Sequence, residues 1–393
     1  MSTLVIPINE MDSDLLAQLD YALAFASKDI RAYRINAPTS TIEADVDARA
    51  DLDEVSRNIL ELVERYRKRD FGMPTTIHFE QKRALTPFNA WRELVDRRWV
   101  TPIGAGQVVL RGLAARLMDL IDVKVLRTFA REFNAEFEVY PTTIQCTTLD
   151  RCHHFTSFPE HMDFVGHLKE DLNVLNQFSG ACRETGWSPQ LHEGQMAAVD
   201  LAISPSCCYH CYEAMEDWDI QPPGRCITAV LGCHRYEGSN HTSMSRLRSF
   251  TMREVVFVGT PQFVIGARAR AEELIVNWAK DWDLSCTFET ANDMFFTKDY
   301  SVKASFQRQQ QAKKELRLEI PQEQQFISVF SSNFHATSFG KAFNISTGGR
   351  PATSGCIAWG YERWVYAIFS QFGCDVAAWP PALRRELEAG ERR

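Results

Sequence analysis

The sequence has no uninterrupted apolar run approaching the roughly 20 residues that cross a bilayer, so no membrane-spanning helix and no membrane partner is expected. Cationic excess is missing too. The chain carries 43 Lys and Arg against 51 Asp and Glu, a net charge of −8 that argues against a protein coating nucleic acid. It opens Met1-Ser-Thr-Leu-Val-Ile-Pro7 with neither a basic n-region nor a long apolar core, so the expected compartment is cytoplasmic. A disulfide framework is also absent. The eleven cysteines are odd in number and scattered, in a chain too large to need staples, so reduced thiols are expected, with a few available to metal. Only one C-x-x-C occurs (Cys208, Cys211) and no H-x-x-x-H, so a closed zinc knuckle lacks its second ligand pair. With Cys207 and His210 beside it, this motif leaves two other readings open: a redox pair at a helix start, or one cysteine joined by two ligands distant in sequence.

What is present begins with 393 residues that are 45% hydrophobic and 24% charged, enough for a large core and two domains. Residues 1–75 read as a small N-terminal α/β segment. Leu15, Leu16, Leu19, Ala22 and Leu23 make one helical stripe behind Asp12 and Ser13, and Leu52, Val55, Ile59, Leu62, Val63 and Tyr66 make another. The acidic stretch Glu43 to Glu54 between them reads as a solvated face, and Gly72 and Pro74 mark the boundary to a second domain over 76–393.

The second domain is organised around Cys226 to Thr260, read as two strands about a polar loop. The first arm ends in Arg235-Tyr236-Glu237, which puts a cation and a carboxylate two apart on one face. The second arm returns with Phe250 and with Glu254 where alternation turns it inward. Upstream, a long helix after Gly104-Ala-Gly106 runs into Glu136 to Ile144, a strand interrupted by Pro141. Cys152, His153, His154 and His161 fit no zinc spacing, and their segment is expected to border a pocket, with a helix over Val165 to Phe178. Residues 301–318 are Gln-rich and basic and read as an exposed helix. Phe326 to His335 alternates as a strand ending in Asn333 and His335. Gly355 to Phe369 passes from small alternate residues (Cys356, Ala358, Gly360), which leave a strand face bare for a ligand, into a helix with Arg363 in its first turn.

The helix with its Pro-bearing strand, the Arg-x-Glu hairpin with returning Phe, and the small-residue strand before Glu-Arg resemble, in order, motifs 1, 2 and 3 of the class II aminoacyl-tRNA synthetases. The resemblance implies an α+β fold, an antiparallel sheet flanked by helices, and a homodimer formed through motif 1. It implies that Arg235 meets the α-phosphate of ATP, Glu237 and Phe250 the adenine, and Arg363 the γ-phosphate. Within that class, Cys208, Glu254 and Cys356 match the Cys, Glu and Cys that hold one active-site zinc in the atypical seryl-tRNA synthetases and the related amino acid:carrier-protein ligases. Two thiolates and a carboxylate leave a fourth tetrahedral position for the α-amino group of a small amino acid.

The chain lacks the long N-terminal coiled coil and broad basic domain that a seryl-tRNA synthetase would use on tRNA, and so resembles more closely the shortened carrier-protein ligases. That implies activation of glycine or alanine with ATP and Mg²⁺, then transfer to the phosphopantetheine thiol of a carrier protein, with no tRNA partner. Asn333 and His335 are expected to bind the amino acid, and Lys303, Arg308, Lys313, Lys314 and Arg317 to dock the carrier. The position where seryl enzymes carry an early magnesium-binding Glu is apolar here (Ile327), which leaves Glu323 as the nearest candidate. The competing expectations are a seryl-type synthetase charging tRNA and a catalytically idle paralogue, the latter opposed by the presence of Arg235, Arg363 and all three zinc-type ligands.

Overall fold

The structure is a computed structural model and describes residues 2–8, 16, 19, 20, 22–36, 39–67, 75–236, 238, 241, 243–291 and 312–390. Strands β1 (Ser2–Pro7), β2 (Ile30–Asn36) and β3 (Thr41–Val46) form an antiparallel sheet ordered β1-β3-β2. Helix Leu52–Arg67 follows. Ile6, Leu19, Leu23, Ile42, Ile59 and Val63 build a core of their own there. The acidic stretch is therefore not only a solvated face. Ile42, Ala44 and Val46 alternate inward on β3 while Glu43 and Asp45 bond outward to Arg34 and Thr3, a period-2 pattern hidden by the charges between the apolar residues. Gly72 and Pro74 lie outside the described residues.

Beyond them come β4 (Ile77–Gln81), the hairpin β5 (Val100–Gly104) and β6 (Gln107–Leu110), and helix Gly112–Val125 with a π turn over Leu126–Ala130. The expected strand 136–144 is divided. β7 (Glu136–Phe137) lies parallel to the hairpin's first arm, and β8 (Thr143–Gln145), β9 (Phe164–Val165) and β10 (Leu201–Ile203) make a separate small sheet. Pro141, with no N–H to give either ladder, stands between them. The helix expected from Val165 instead runs Leu172–Thr185, because Asp171 caps the Asn173 and Val174 amides.

The hairpin is β11 (Gly224–His234) and β12 (Ser249–Gly259), with Ala229 opposite Glu254 and Cys233 opposite Phe250. Helix Pro261–Asp281 starts from a Thr260 cap. Then come β13 (Cys286–Thr290), β14 (Lys313–Ile320), β15 (Gln325–Ala336), the short pair β16 (Ser346–Thr347) and β17 (Arg350–Pro351), and β18 (Thr353–Gly360), which leads into helix Tyr361–Phe372. The eight-stranded sheet is ordered β4-β13-β14-β15-β18-β12-β11-β7, antiparallel but for β7. One face packs against the helices through Trp278, Trp282, Trp359 and Trp364, with Trp278 stacked on Trp364 at 4.7 Å. The other face is left for the site, as an antiparallel sheet permits. Among the described residues no helix is long and apolar enough to cross a membrane.

The expected basic helix over 301–318 is corrected in its described part. Residues 313–320 are an inner strand, with Leu316, Leu318 and Ile320 fully buried at alternate positions. Lys303 and Arg308 lie outside the described residues.

Candidate active site

Strand β18 supplies the floor. Ile357 and Trp359 point into the core, so Cys356, Ala358 and Gly360 face the other way and line a cavity of about 510 Å³. The small side chains leave the sheet surface low there. Arg235 and Phe250, from the ends of the hairpin arms, form one wall, and Asn333 and His335 of β15 another. Glu362 and Arg363 enter from the first turn of the following helix.

At one end Cys208, Glu254 and Cys356 converge, their ligand atoms all within 4.8 Å of one another and all three residues buried. Among the described residues no other group of His, Cys, Asp and Glu comes together this closely. The Glu254 carboxylate is aimed by its neighbours. One oxygen accepts from Ser206 Oγ (3.1 Å), the Cys207 amide (3.0 Å) and the Cys208 amide (3.3 Å), and the other is buried with no hydrogen-bond partner. A buried carboxylate oxygen without a donor is costly unless something cationic occupies the space before it. Cys356 receives Asn333 Nδ2 at 3.5 Å, and His335 Nε2 stands 3.9 Å away. His335 is held by Tyr212 OH at 3.0 Å. The hydrogen bond with Cys208, burial and the Glu254 charge hold the Cys356 thiol well above its ordinary range. A divalent cation would reverse that balance. Tetrahedral coordination at about 2.0–2.3 Å needs ligand atoms roughly 3.5–3.8 Å apart, a contraction small enough for side-chain rotation. Cys211 lies outside the cluster, beside Tyr140.

The other end is cationic. Arg235 Nε donates to Pro205 O at 2.9 Å, and its guanidinium lies 5.4 Å from the centre of the Phe250 ring. Arg363 Nε donates to Ser245 O at 2.9 Å and Nη1 to Ser328 O at 3.3 Å. Glu362 accepts from the Thr251 amide with both oxygens (2.9 and 2.8 Å), yet burial pushes its carboxyl up to about 7. Glu237 lies outside the described residues. Beneath these groups Arg253 donates to Asp122 (2.5 Å) and to Tyr361 OH (3.1 Å), which ties the helix Gly112–Val125, the hairpin and the helix Tyr361–Phe372 together at a buried point.

The segment expected to border a pocket does so through His154, Phe158 and His161. Burial and the Arg235 charge push His154 down to about 3, and burial, Arg235, His154 and Lys313 hold His161 lower than usual. Both are neutral at ordinary pH. Lys313, expected to dock a carrier, lines the cavity instead, and sequence reading missed Glu315, which lines it too, and Tyr212 behind His335. Alternation along 313–320 was the available signal. The other described cations expected to dock a carrier are engaged in ion pairs: Lys314 with Glu272 of the helix Pro261–Asp281 at 2.7 Å and Arg317 with Glu289 of β13 at 3.0 Å. Glu323 accepts from Ser245 Oγ at 2.7 Å and from Tyr366 OH at 2.5 Å.

No protein-family model matches the chain. It is 32% identical over 262 residues to amino acid–[acyl-carrier-protein] ligase 1 of Bradyrhizobium diazoefficiens, a match covering 66% of this chain and 78% of that protein. The chain belongs to the amino acid–[acyl-carrier-protein] ligase family. A second ligase of that family and organism is 31% identical over 65% of this chain and 75% of its own length. More remote kinship reaches the type-2 serine–tRNA ligase of Methanococcus maripaludis, 23% identical over 72% of this chain and 57% of that protein. Among solved structures, a Methanopyrus kandleri seryl-tRNA synthetase in complex with A. aeolicus tRNASec superposes with a TM-score of 0.72 at 20% identity, over 98% of this chain and 77% of that one. A Naegleria fowleri cytoplasmic serine–tRNA ligase in complex with AMP gives 0.61 at 10% identity, over 86% and 71%. The ligase family thus has, in this chain, the class II synthetase fold.

Proposed function

We propose that the chain joins ATP to glycine or alanine as an aminoacyl-adenylate and passes the aminoacyl group to the phosphopantetheine thiol of a carrier protein. The observation that carries this reading is the Cys208, Glu254 and Cys356 cluster facing into the same cavity as Arg235 and Arg363. Cys208, Glu254 and Cys356 would hold one zinc, whose open position supplies a Lewis-acid seat for a neutral α-amino group. The rest is the work of side chains. Arg235 orients the α-phosphate against the amino acid's carboxylate and Arg363 takes the terminal phosphate charge, while Phe250 and Glu237 receive the adenine. The carboxylate oxygen then bonds to the α-phosphorus as pyrophosphate leaves, and the carrier thiol later bonds to the acyl carbon as AMP leaves. Asn333 and His335, the latter held by Tyr212, stand beside Cys356, so an amino acid seated there would set its side chain against them.

In this reading residues 76–393 are the catalytic domain, which forms a homodimer, and 1–75 a separate domain. Lys303 and Arg308 keep the carrier-docking role. Names of the ligase relatives favour a carrier over tRNA, while the seryl-type kinship keeps tRNA as the competing acceptor. The deciding experiment incubates the protein with ATP, Mg²⁺ and labelled glycine, alanine or serine, with either a phosphopantetheinylated carrier or total tRNA. Glycine or alanine on the carrier is the expected product. Serine on tRNA alone would overturn the proposal, and absence of amino-acid-dependent pyrophosphate exchange would make the chain an idle paralogue.

A further inference from the structure

The arm that carries Arg235 leaves β11 into residues that touch the leading domain. The Tyr236 ring meets Phe25 edge-on, with centroids 6.2 Å and planes 80° apart. Gly238 is buried at a φ of 82° and lies so close to Ala24 that a Cβ there would stand 2.6 Å from the Ala24 Cβ. Burial raises the Asp20 carboxyl above its ordinary range, and the Arg246 charge on the return partly opposes that shift. All three partners come from residues 20–25, whose neighbours Leu19 and Leu23 are fully buried in the leading domain's core. Elsewhere the same stretch is tied by backbone. The Tyr236 amide donates to His161 O (3.0 Å), the Arg235 amide to Arg248 O (2.9 Å), and the Arg248 and Ser249 amides to Gly106 O (2.9 and 3.1 Å).

We propose that Asp20, Ala24 and Phe25 of the leading domain are positioning residues for Arg235, fixing the backbone at Tyr236 and Gly238 so that the guanidinium is set before ATP arrives. The inference rests on the reading of Arg235 as a phosphate ligand. Its physical content is preorganisation: an aromatic edge contact and a glycine only a Cβ-free backbone could seat hold one short stretch from a single side, and the Arg246 charge attracts the Asp20 carboxylate of the same segment. Among the described residues, none of 20–25 lines the cavity at the end where Cys208, Glu254 and Cys356 converge. A loss at this interface should therefore be felt by the nucleotide and not by the amino acid.

Phe25→Ala tests it. The expected result is a rise of about three- to tenfold in the KM for ATP in pyrophosphate exchange, the range one edge-to-face pair supplies, with the KM for the amino acid unchanged. The Tyr236 amide should exchange with deuterium faster, and Phe25→Tyr should restore both readouts. An unaltered Tyr236 exchange rate in folded Phe25→Ala protein would overturn the proposal, as would equal rises in both KM values. If the wild-type chain bound no ATP at all, the adenylate reading would fail while the exchange measurement still decided whether the leading domain fixes this backbone.

Discussion

Glu254→Gln separates a structural from a metal-binding carboxylate. In the native arrangement one oxygen accepts three hydrogen bonds, from Ser206 and the Cys207 and Cys208 amides, and the other accepts none. A glutamine of the same shape can turn its carbonyl to those three donors and lose only the charge assistance. Neutral bonds are worth about half of charged ones, about 1 kcal/mol each net against about 2, so over three bonds the fold should lose on the order of 3 kcal/mol and several degrees of Tm. The metal should suffer far more. The partnerless oxygen becomes an amide NH₂ facing two thiols, and a site of three ligands is left with two. Metal analysis after dialysis should fall from about one zinc per chain to almost none, while thermal unfolding stays cooperative. Glu254→Ala, which strands all three donors, should lose on the order of 3 kcal/mol or more as well as the metal. Cys356→Ala should lose zinc and Cys211→Ala retain it. A Glu254→Gln protein that keeps a full zinc would refute the reasoning, since the unpaired oxygen would then serve something else.

Replacing Arg235 or Arg363 with Ala should slow adenylate formation on the order of 10²-fold in a protein that still folds; near-normal pyrophosphate exchange in Arg235→Ala would remove the hairpin from the nucleotide site. Glu362 makes a pH prediction. Its carboxyl is raised from the ordinary 4.5 to about 7, so the folded state holds a proton that the unfolded state releases. The associated stability is fully present below 4.5 and is lost as pH rises through 7, about 3 kcal/mol in all. Denaturant unfolding of Glu362→Gln across pH 4–8 should lack that decline, and parallel curves for variant and wild type would show that Glu362 does not titrate in this window.

Much of this arrangement was legible in the chain because local and global demands agree. Small residues alternating with Ile357 and Trp359 specify a strand with one bare face. The turn to helix after Gly360 puts Arg363 where the cavity opens. The reading failed where charge concealed period-2 order. Lys313 to Ile320 carries five charged residues among three buried ones, its partner β13 is distant in sequence, and the connection Pro321-Gln-Glu-Gln324 to β15 has no Gly, Asn or Asp to mark a hairpin. The cysteines and Glu254 were legible only by resemblance, since nothing local unites three segments whose meeting depends on the register of β12 against β18. Contact between residues 20–25 and the hairpin left no trace in the sequence, because an aromatic edge and a buried glycine look ordinary until the two are set side by side.

The parity of β18 has a consequence for how this chain can vary. Odd positions 357 and 359 fill the core and even positions 356 and 358 serve the cavity, so point changes on one face leave the other untouched. A deletion of one residue cannot be so contained. It would carry Trp359 into the cavity and Cys356 toward the tryptophans, with β12 and β15 both forbidding compensation by a shift in pairing. Substrate range in relatives of this chain can therefore drift by exchange of side chains at even positions, whereas length variation must be confined to the connections between strands.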